Sequence, residues 1–132
     1  MNILLSKKWK GYKAIMNLSH RILNEACIVE VEGEFIGYKA RQLTPYIDTI
    51  LLKNTELKIL ILNLGSAIQM DSVGIGIMLK SYKVLQEQQI QFALCQLHDE
   101  MIDFLKFIRI DSMIPIYDTE EDVIKKLKEE VS

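Results

Sequence analysis

The segment from Leu57 to Leu64 constrains the fold of this chain more than any other part of the sequence. It reads L-K-I-L-I-L-N-L, which is almost continuously apolar and rich in branched side chains. A strand of that composition is covered on both faces, so we expect it to lie in the centre of a sheet. No apolar run in the 132 residues is long enough for a membrane-spanning helix.

Helical and strand-like patterns alternate on both sides of this segment. The predicted elements, in chain order, are strands at 15–23 and 26–32, a helix at 38–53, the central strand, a helix at 73–88, a strand at 90–97, a helix at 100–108, a strand at 114–117 and a last helix. Pro45 marks either the first turn of the first helix, behind an N-cap at Thr44, or a kink within it. Asp99 and Thr119 are predicted N-caps. This order predicts an α/β domain with a largely parallel or mixed sheet.

The ends of the chain and its charge set further limits. Residues 1–14 show no period, so we predict a short N-terminal extension, which is either dispensable for the domain at 15–132 or docked on it through Trp9. Cys27 and Cys95 are too few and too distant for a disulfide framework or a zinc site, which predicts reduced core thiols in a cytoplasmic protein. The 16 basic and 18 acidic residues lack the basic excess of a general nucleic-acid binder.

The segment Met70 to Gly76, M-D-S-V-G-I-G, holds the chemistry-bearing residues. Either Asp71 or Ser72 can cap the helix that follows, and an exposed serine there can also accept a phosphate. Gly74 and Gly76 each cost about 1 kcal/mol in a helix relative to alanine, which indicates close packing on the sheet, a close partner backbone, or both. We assign Val73 to the surface as an apolar docking residue.

The strand I-L-N-L-G, a short loop and then D-S-V-G-I-G resemble the STAS domain, the fold of sulphate transporters and anti-sigma-factor antagonists. The resemblance covers about residues 16–132, and Gly33-Glu34-Phe35 matches the G-E-L that ends the family's early strand. It implies the STAS fold, a mixed sheet of four to five strands with about four helices packed mainly on one face. Ile36 stands where the family often has Asp, and Asn63 replaces the Asp of its L-D-L.

The resemblance also implies a function, that of a bacterial anti-sigma factor antagonist. Ser72 corresponds to the serine that a partner kinase, itself an anti-sigma factor, phosphorylates with ATP and Mg²⁺ to end binding. A serine phosphatase would restore the binding-competent form. The implied partner-binding residues are Glu34, Asp71, Ser72, Val73, Gly74 and Gly76.

A second interpretation is a scaffold or sensory interaction module of the same fold, whose partner is not a sigma-factor regulator. An enzyme is disfavoured, because His20 and His98 are isolated and no G-x-S-x-G, P-loop or H-E-x-x-H motif is present. We therefore predict no catalytic residue, no metal, no cofactor, and neither a nucleic-acid nor a membrane partner.

Overall fold

The structure is a computed structural model that describes residues 2–4 and 15–131. Within these ranges a seven-stranded sheet is surrounded by five α-helices. The strands are β1 (Asn2–Leu4), β2 (Met16–Leu23), β3 (Ala26–Phe35), β4 (Ile59–Asn63), β5 (Ala67–Asp71), β6 (Gln91–Cys95) and β7 (Ile116–Tyr117). The helices are α1 (Gly37–Ala40), α2 (Leu43–Lys53), α3 (Ser72–Glu87), α4 (Asp99–Phe107) and α5 (Glu120–Val131), with a 3₁₀ turn at Ile110–Ser112.

The sheet is mixed, with β3 and β4 at its centre. The strand order is β1-β5-β3-β4-β6-β7, and β2 pairs with β3 as an antiparallel hairpin. β3, β4, β5, β6 and β7 run in the same direction, so their carboxyl ends lie toward one edge of the sheet. Every residue of β4 is buried, which confirms the predicted central strand. Binding sites in α/β sheets form outside such carboxyl ends.

Helices cover the two faces of the sheet unequally. Leu60 and Leu62 of β4 belong to the larger core, into which α1 to α4 pack. Ile59 and Ile61 alternate with them and face a smaller core, which α5 closes with residues such as Val123. The predicted mixed sheet with helices mainly on one face is therefore confirmed, but among the described residues it has seven strands where four to five were predicted, because β1 and β5 were not foreseen.

The region between the central strand and α3 differs from prediction. We expected only a loop there, but Ala67–Asp71 form β5, which pairs in parallel with the end of β3. The segment is too short to show a period, and its strand state depends on that distant pairing. β5 ends at Asp71, at the carboxyl edge of the sheet, and Ser72 follows it as the first residue of α3.

The predicted helix at 38–53 divides into α1 and α2. The proline ring of Pro45 would meet the carbonyl of Arg41 in a continuous helix, and the chain breaks at Arg41 and Gln42. Pro45 lies in the first turn of α2, as one of the two alternatives predicted, but the N-cap is Gln42 and not Thr44.

Of the two other predicted caps, one is correct. The amide of Asp122 donates to the hydroxyl of Thr119 over 3.1 Å, so Thr119 caps α5. Asp99 is instead the first residue of α4, behind His98, whose side chain makes no capping hydrogen bond.

The N-terminal segment contributes one described strand. β1 pairs antiparallel with the outer edge of β5, and Asn2 lies opposite Asp71. Residues 5–14, with the predicted docking residue Trp9, lie outside the described residues. That the domain can dispense with residues 1–14 stays a prediction.

The two cysteines are free and buried, in agreement with the predicted core thiols. They belong to different cores, Cys27 to the larger and Cys95 to the smaller, so the sheet separates them. Burial raises the pKa of Cys27 to about 11 and that of Cys95 to about 12. In the described part of the chain no helix is both long and apolar enough to cross a membrane.

Candidate functional site

The candidate site lies where β5 ends and α3 begins. β3 and β5 are parallel neighbours there, and Phe35 pairs with Met70. The chain leaving β3 enters α1, while the chain leaving β5 enters α3. The two helix starts are therefore adjacent, and both lie at the carboxyl edge of the sheet.

The carboxylate of Asp71 joins these two helix starts. Its Oδ1 accepts a hydrogen bond from the Gly74 amide over 3.0 Å, which makes Asp71 the N-cap of α3. Its Oδ2 accepts a hydrogen bond from the Gly37 amide, also over 3.0 Å. Both oxygens are thus used within the chain. We refer to Asp71 with Gly37 and Gly74 as the Asp71 clamp.

Ser72 follows the clamp as the first residue of α3. Its side chain is exposed, and among the described residues its hydroxyl has no hydrogen-bond partner. The sequence left open which of Asp71 and Ser72 caps the helix, and the geometry assigns the cap to Asp71 alone. Within the described part of the chain, the hydroxyl of Ser72 therefore makes no structural contact and lies exposed at a helix N-terminus.

The two glycines of the motif have different surroundings. Gly74 is buried, and a Cβ there would collide with the Phe35 carbonyl oxygen and lie 3.0 Å from the side chain of Met70. Gly76 is exposed, and a Cβ there would meet no atom within 4 Å. Helix-to-sheet packing therefore explains Gly74 but gives no reason for Gly76.

Glu34 and Lys39 form an ion pair beneath α1. The Lys39 ammonium donates to the Glu34 carboxylate, and Glu34 is only 6% exposed. A buried carboxylate needs such a partner, since an unpaired charge in the interior is strongly destabilising. Glu34 is thus a buried partner of α1, reached through Lys39. Val73 is half-buried and packs partly against the larger core.

Tyr38 is a surface residue of this site that the sequence analysis missed. It follows Gly37, whose φ of +54° places it in the left-handed region, and its side chain is 77% exposed. Tyr38 follows Gly37 and Ser72 follows Asp71, so the hydrogen bond from the Gly37 amide to Asp71 brings their two chain segments together. The available signal was a large aromatic directly after a glycine at a strand end. Ile36 stands where the family often has Asp. It occupies the N-cap position of α1, and its side chain makes no capping hydrogen bond.

A second polar cluster lies at the same edge of the sheet, on the α5 side. Asn63 donates to Glu120 Oε2 over 2.6 Å and accepts from the Gly65 amide over 2.8 Å. Arg21 donates to the other oxygen of Glu120, and this hydrogen bond raises the pKa of Arg21. We refer to Asn63, Glu120 and Arg21 as the Glu120 cluster. No group of three or more His, Cys, Asp or Glu side chains in the described ranges could hold a metal ion.

The two histidines lie apart from the Ser72 motif in the chain and are not hydrogen-bonded to it. His20 Nδ1 is 2.6 Å from the hydroxyl of Tyr46, on β2 and α2. His98 precedes α4, and its backbone carbonyl accepts from the first turn of that helix.

Known proteins share both the sequence pattern and the fold. The sequence profile of the STAS domain matches residues 17–123. An anti-sigma F factor antagonist from Paenibacillus polymyxa is 24% identical over 101 residues, which span 76% of this chain and 86% of that protein. A crystal structure of an anti-sigma factor antagonist from Mycobacterium paratuberculosis matches with a TM-score of 0.74 at 18% identity, covering 89% of this chain and 97% of that one.

A third relative is the Bacillus cell fate determinant SpoIIAA in its phosphorylated form. It matches with a TM-score of 0.61 at 21% identity, over 85% of this chain and 98% of that one. At these identities the solved structures show a shared fold. The profile match shows the family, because it spans most of the chain and includes β3, β4, β5 and the whole segment from Met70 to Gly76. The chain belongs to the STAS domain family.

Proposed function

We propose that this protein is an anti-sigma factor antagonist that binds a serine-kinase anti-sigma factor and is released when that kinase phosphorylates Ser72. The observation that carries the proposal is that Asp71, and not Ser72, caps the start of α3. Asp71 holds the helix cap, so the Ser72 hydroxyl is exposed and uncommitted. Anti-sigma factor antagonists recur among the relatives, and one of them was solved in a phosphorylated form.

The chemistry is a phosphoryl transfer in which this chain supplies the acceptor. The Ser72 hydroxyl oxygen forms a bond to the γ-phosphorus of the kinase-bound ATP, the bond to the β-phosphate oxygen breaks, and ADP leaves. The hydroxyl proton passes to a base that the kinase supplies. A serine phosphatase would return the hydroxyl by hydrolysis of the phosphate ester.

Phosphorylation should act on binding and leave the fold intact. The phosphate adds about 1.5 to 2 negative charges at a helix N-terminus, where the helix dipole favours an anion by roughly 0.3 to 1 kcal/mol. No core residue moves, since Ser72 is exposed. A partner surface pressed against Ser72 would have to desolvate or repel the new charge, so its affinity falls.

In this proposal some of the other predicted contact residues touch the partner, and the rest hold the helices in place. Gly76 and the outer part of Val73 reach the surface and would touch the partner. Asp71 and Gly74 hold the helix start in place, and Glu34 supports α1 through Lys39. The protein would act as a cytoplasmic regulator and not as an enzyme.

The proposal is tested by incubating the protein with ATP, Mg²⁺ and each serine-kinase anti-sigma factor that the source organism encodes. Mass spectrometry should place one phosphate on Ser72. Ser72→Ala should bind the kinase and stay unmodified, while the matched variant Ser66→Ala, also exposed, should be modified at the normal rate. Phosphate on Ser66 or Ser112, with Ser72 untouched, would contradict the mechanism.

Ile36 favours one alternative, an interaction module that is not a kinase substrate. An isoleucine at the N-cap of α1 leaves the surface beside Ser72 without the carboxylate that the family often has there. In that case the protein would bind its partner through the same surface, and none of the kinases would modify it. Retention of full partner affinity by Ser72→Asp would support this module.

A further inference from the structure

The exposed ridge of α3 has features that the phosphoacceptor role does not explain. Ser72, Gly76, Lys80 and Lys83 are all exposed, and their spacing places them within one narrow arc of the helix. We call these four residues the α3 ridge. It begins at the proposed phosphoacceptor and runs toward the C-terminal end of the helix.

Gly76 is costly in a helix, and no packing contact among the described residues compensates for that cost. Glycine is unfavourable relative to alanine in a helix interior. At Gly74 the close Phe35 carbonyl makes glycine necessary, but at Gly76 the space around an added Cβ is empty. A glycine on an exposed helix face allows another backbone to approach closely, so its benefit is expected in a complex.

The charge of the ridge is positive in a molecule whose net charge is −2. Neither Lys80 nor Lys83 has an ion-pair partner among the described residues. The only acid in α3 is Glu87, the last residue of the helix, which is exposed one turn beyond Lys83 on the same side, so Lys80 is the lysine farther from any acid of its own helix. In α5, by contrast, the lysines stand in the sequence E-E-D-V-I-K-K-L-K-E-E-V, between acidic residues.

We propose that the α3 ridge binds an acidic helical segment of the partner protein. The backbone of that segment would pack on Gly76, and its carboxylates would pair with Lys80 and Lys83. The inference rests on the proposed function and adds the chemistry of the partner. Complementary charge of this kind raises the association rate and selects the partner more than it adds affinity.

The same geometry gives a reason for the direction of the switch. Gly76 lies about 6 Å along the helix axis from Ser72, four residues at roughly 1.5 Å each. This is within the Debye length of about 8 Å at physiological salt. A phosphate on Ser72 would therefore repel an acidic segment that lies over Gly76, and Lys80, about 12 Å from Ser72, would be too distant to neutralise it.

The first test needs no cognate kinase. A synthetic helical peptide of Glu, Ala and Leu, and the same peptide with Lys in place of Glu, are titrated into the ¹⁵N-labelled protein at low ionic strength. We expect the acidic peptide to shift the amides of the α3 ridge and the basic peptide to shift none of them. Lys80→Glu with Lys83→Glu should remove the effect, and the matched pair Lys125→Glu with Lys126→Glu should leave it unchanged.

The second test uses the kinase that modifies Ser72. The double variant Lys80→Glu with Lys83→Glu should weaken kinase binding roughly tenfold, mostly through slower association, and high salt should reduce the difference. Gly76→Ala should raise Tm by about 3 °C yet weaken kinase binding about fivefold. Gly74→Ala is the control, since its Cβ collides with Phe35 and should lower Tm instead.

The outcomes separate this inference from the proposed function. If a kinase phosphorylates Ser72 but binds the double lysine variant as well as the wild type, the ridge is not the docking surface and the proposed function stands. If no kinase modifies Ser72 but the acidic peptide maps to the ridge, the docking surface stands without the switch. Equal shifts in α5, or a ridge that prefers duplex DNA or phosphatidylserine vesicles to the peptide, would overturn the inference.

Discussion

The Asp71 clamp and the Glu120 cluster both fasten a helix start to the carboxyl edge of the sheet, but they do so with different partners. Asp71 accepts from two backbone amides, at Gly37 and Gly74. In the Glu120 cluster the carboxylate binds two side chains, Asn63 and Arg21. The first fastens α1 and α3 on the larger core, and the second fastens α5 on the smaller one.

The difference shows how a serine at a helix start can stay exposed when a neighbouring carboxylate caps the helix. The backbone amides of Gly37 and Gly74 are the donors, so a single carboxylate completes the Asp71 clamp. The clamp makes no use of the Ser72 hydroxyl. The Glu120 cluster distributes its contacts over three side chains and presents no free nucleophile. We therefore expect substitutions at the clamp to affect both stability and phosphorylation, and those in the cluster to affect stability alone.

Removal of the Asp71 carboxylate should have the largest effect. Asp71→Ala leaves the amides of Gly37 and Gly74 without their acceptor and should lower the free energy of unfolding by about 3 kcal/mol. Urea denaturation measures this loss. Asp71→Asn retains one acceptor oxygen, so its free energy of unfolding should lie between those of the wild type and Asp71→Ala. Ser72 should also be phosphorylated more slowly in Asp71→Ala, and an unchanged rate would separate the clamp from the switch.

Asn63→Asp should give the second largest effect and should depend on pH. It places a second carboxylate against Glu120, where the amide now lies 2.6 Å away, and should cost about 2 kcal/mol at neutral pH. The shared site raises the pKa of one carboxyl in the folded state. The lost stability should therefore return as the pH falls toward about 4, where one of the two is protonated.

A compensated variant is the control for this prediction. Combining Asn63→Asp with Glu120→Gln exchanges amide and carboxylate across the same contact and should recover most of the stability at neutral pH. Phosphorylation of Ser72 should stay at the wild-type rate in both proteins. A slower rate would show that the two clusters are coupled.

Ser72→Ala should change the free energy of unfolding by less than about 0.5 kcal/mol, because the hydroxyl makes no hydrogen bond among the described residues. The sequence by itself also allowed Ser72 to be the N-cap of α3. In that case Ser72→Ala would lower the free energy of unfolding by about 1 kcal/mol. Urea denaturation of this variant beside Asp71→Ala distinguishes the two assignments. A loss above 1 kcal/mol would mean that Ser72 shares the cap.

The two cysteines report separately on the two faces of the sheet. Because burial raises the pKa of both thiols, native protein should react slowly with iodoacetamide near pH 8, and its stability should decline as the pH rises from about 8.5 toward 11 and 12. Asp71→Ala should speed the alkylation of Cys27 more than that of Cys95. Asn63→Asp should speed the alkylation of Cys95 more than that of Cys27, because Asn63 on β4 and Cys95 on β6 are register partners.

Local pattern determined much of this protein before any tertiary structure was considered. The continuous apolar run at 57–64 predicted the buried β4, and the 3.6-residue period predicted α3. The order of residues from Met70 to Gly76 placed an aspartate and a serine at the start of that helix. These features depend on neighbours in sequence, so they can be read from the residues alone.

Tertiary structure decided what depends on residues far apart in the chain. β5 is a strand because it pairs with the end of β3, and Asp71 is the cap because its second oxygen reaches Gly37, 34 positions away. Glu120 meets Asn63 across 57 positions and Arg21 across 99. No local pattern encodes such contacts, because the free energy that selects them comes from packing the whole sheet. Only the folded chain therefore shows that Ser72 is exposed and that, among residues 2–4 and 15–131, its hydroxyl has no hydrogen-bond partner.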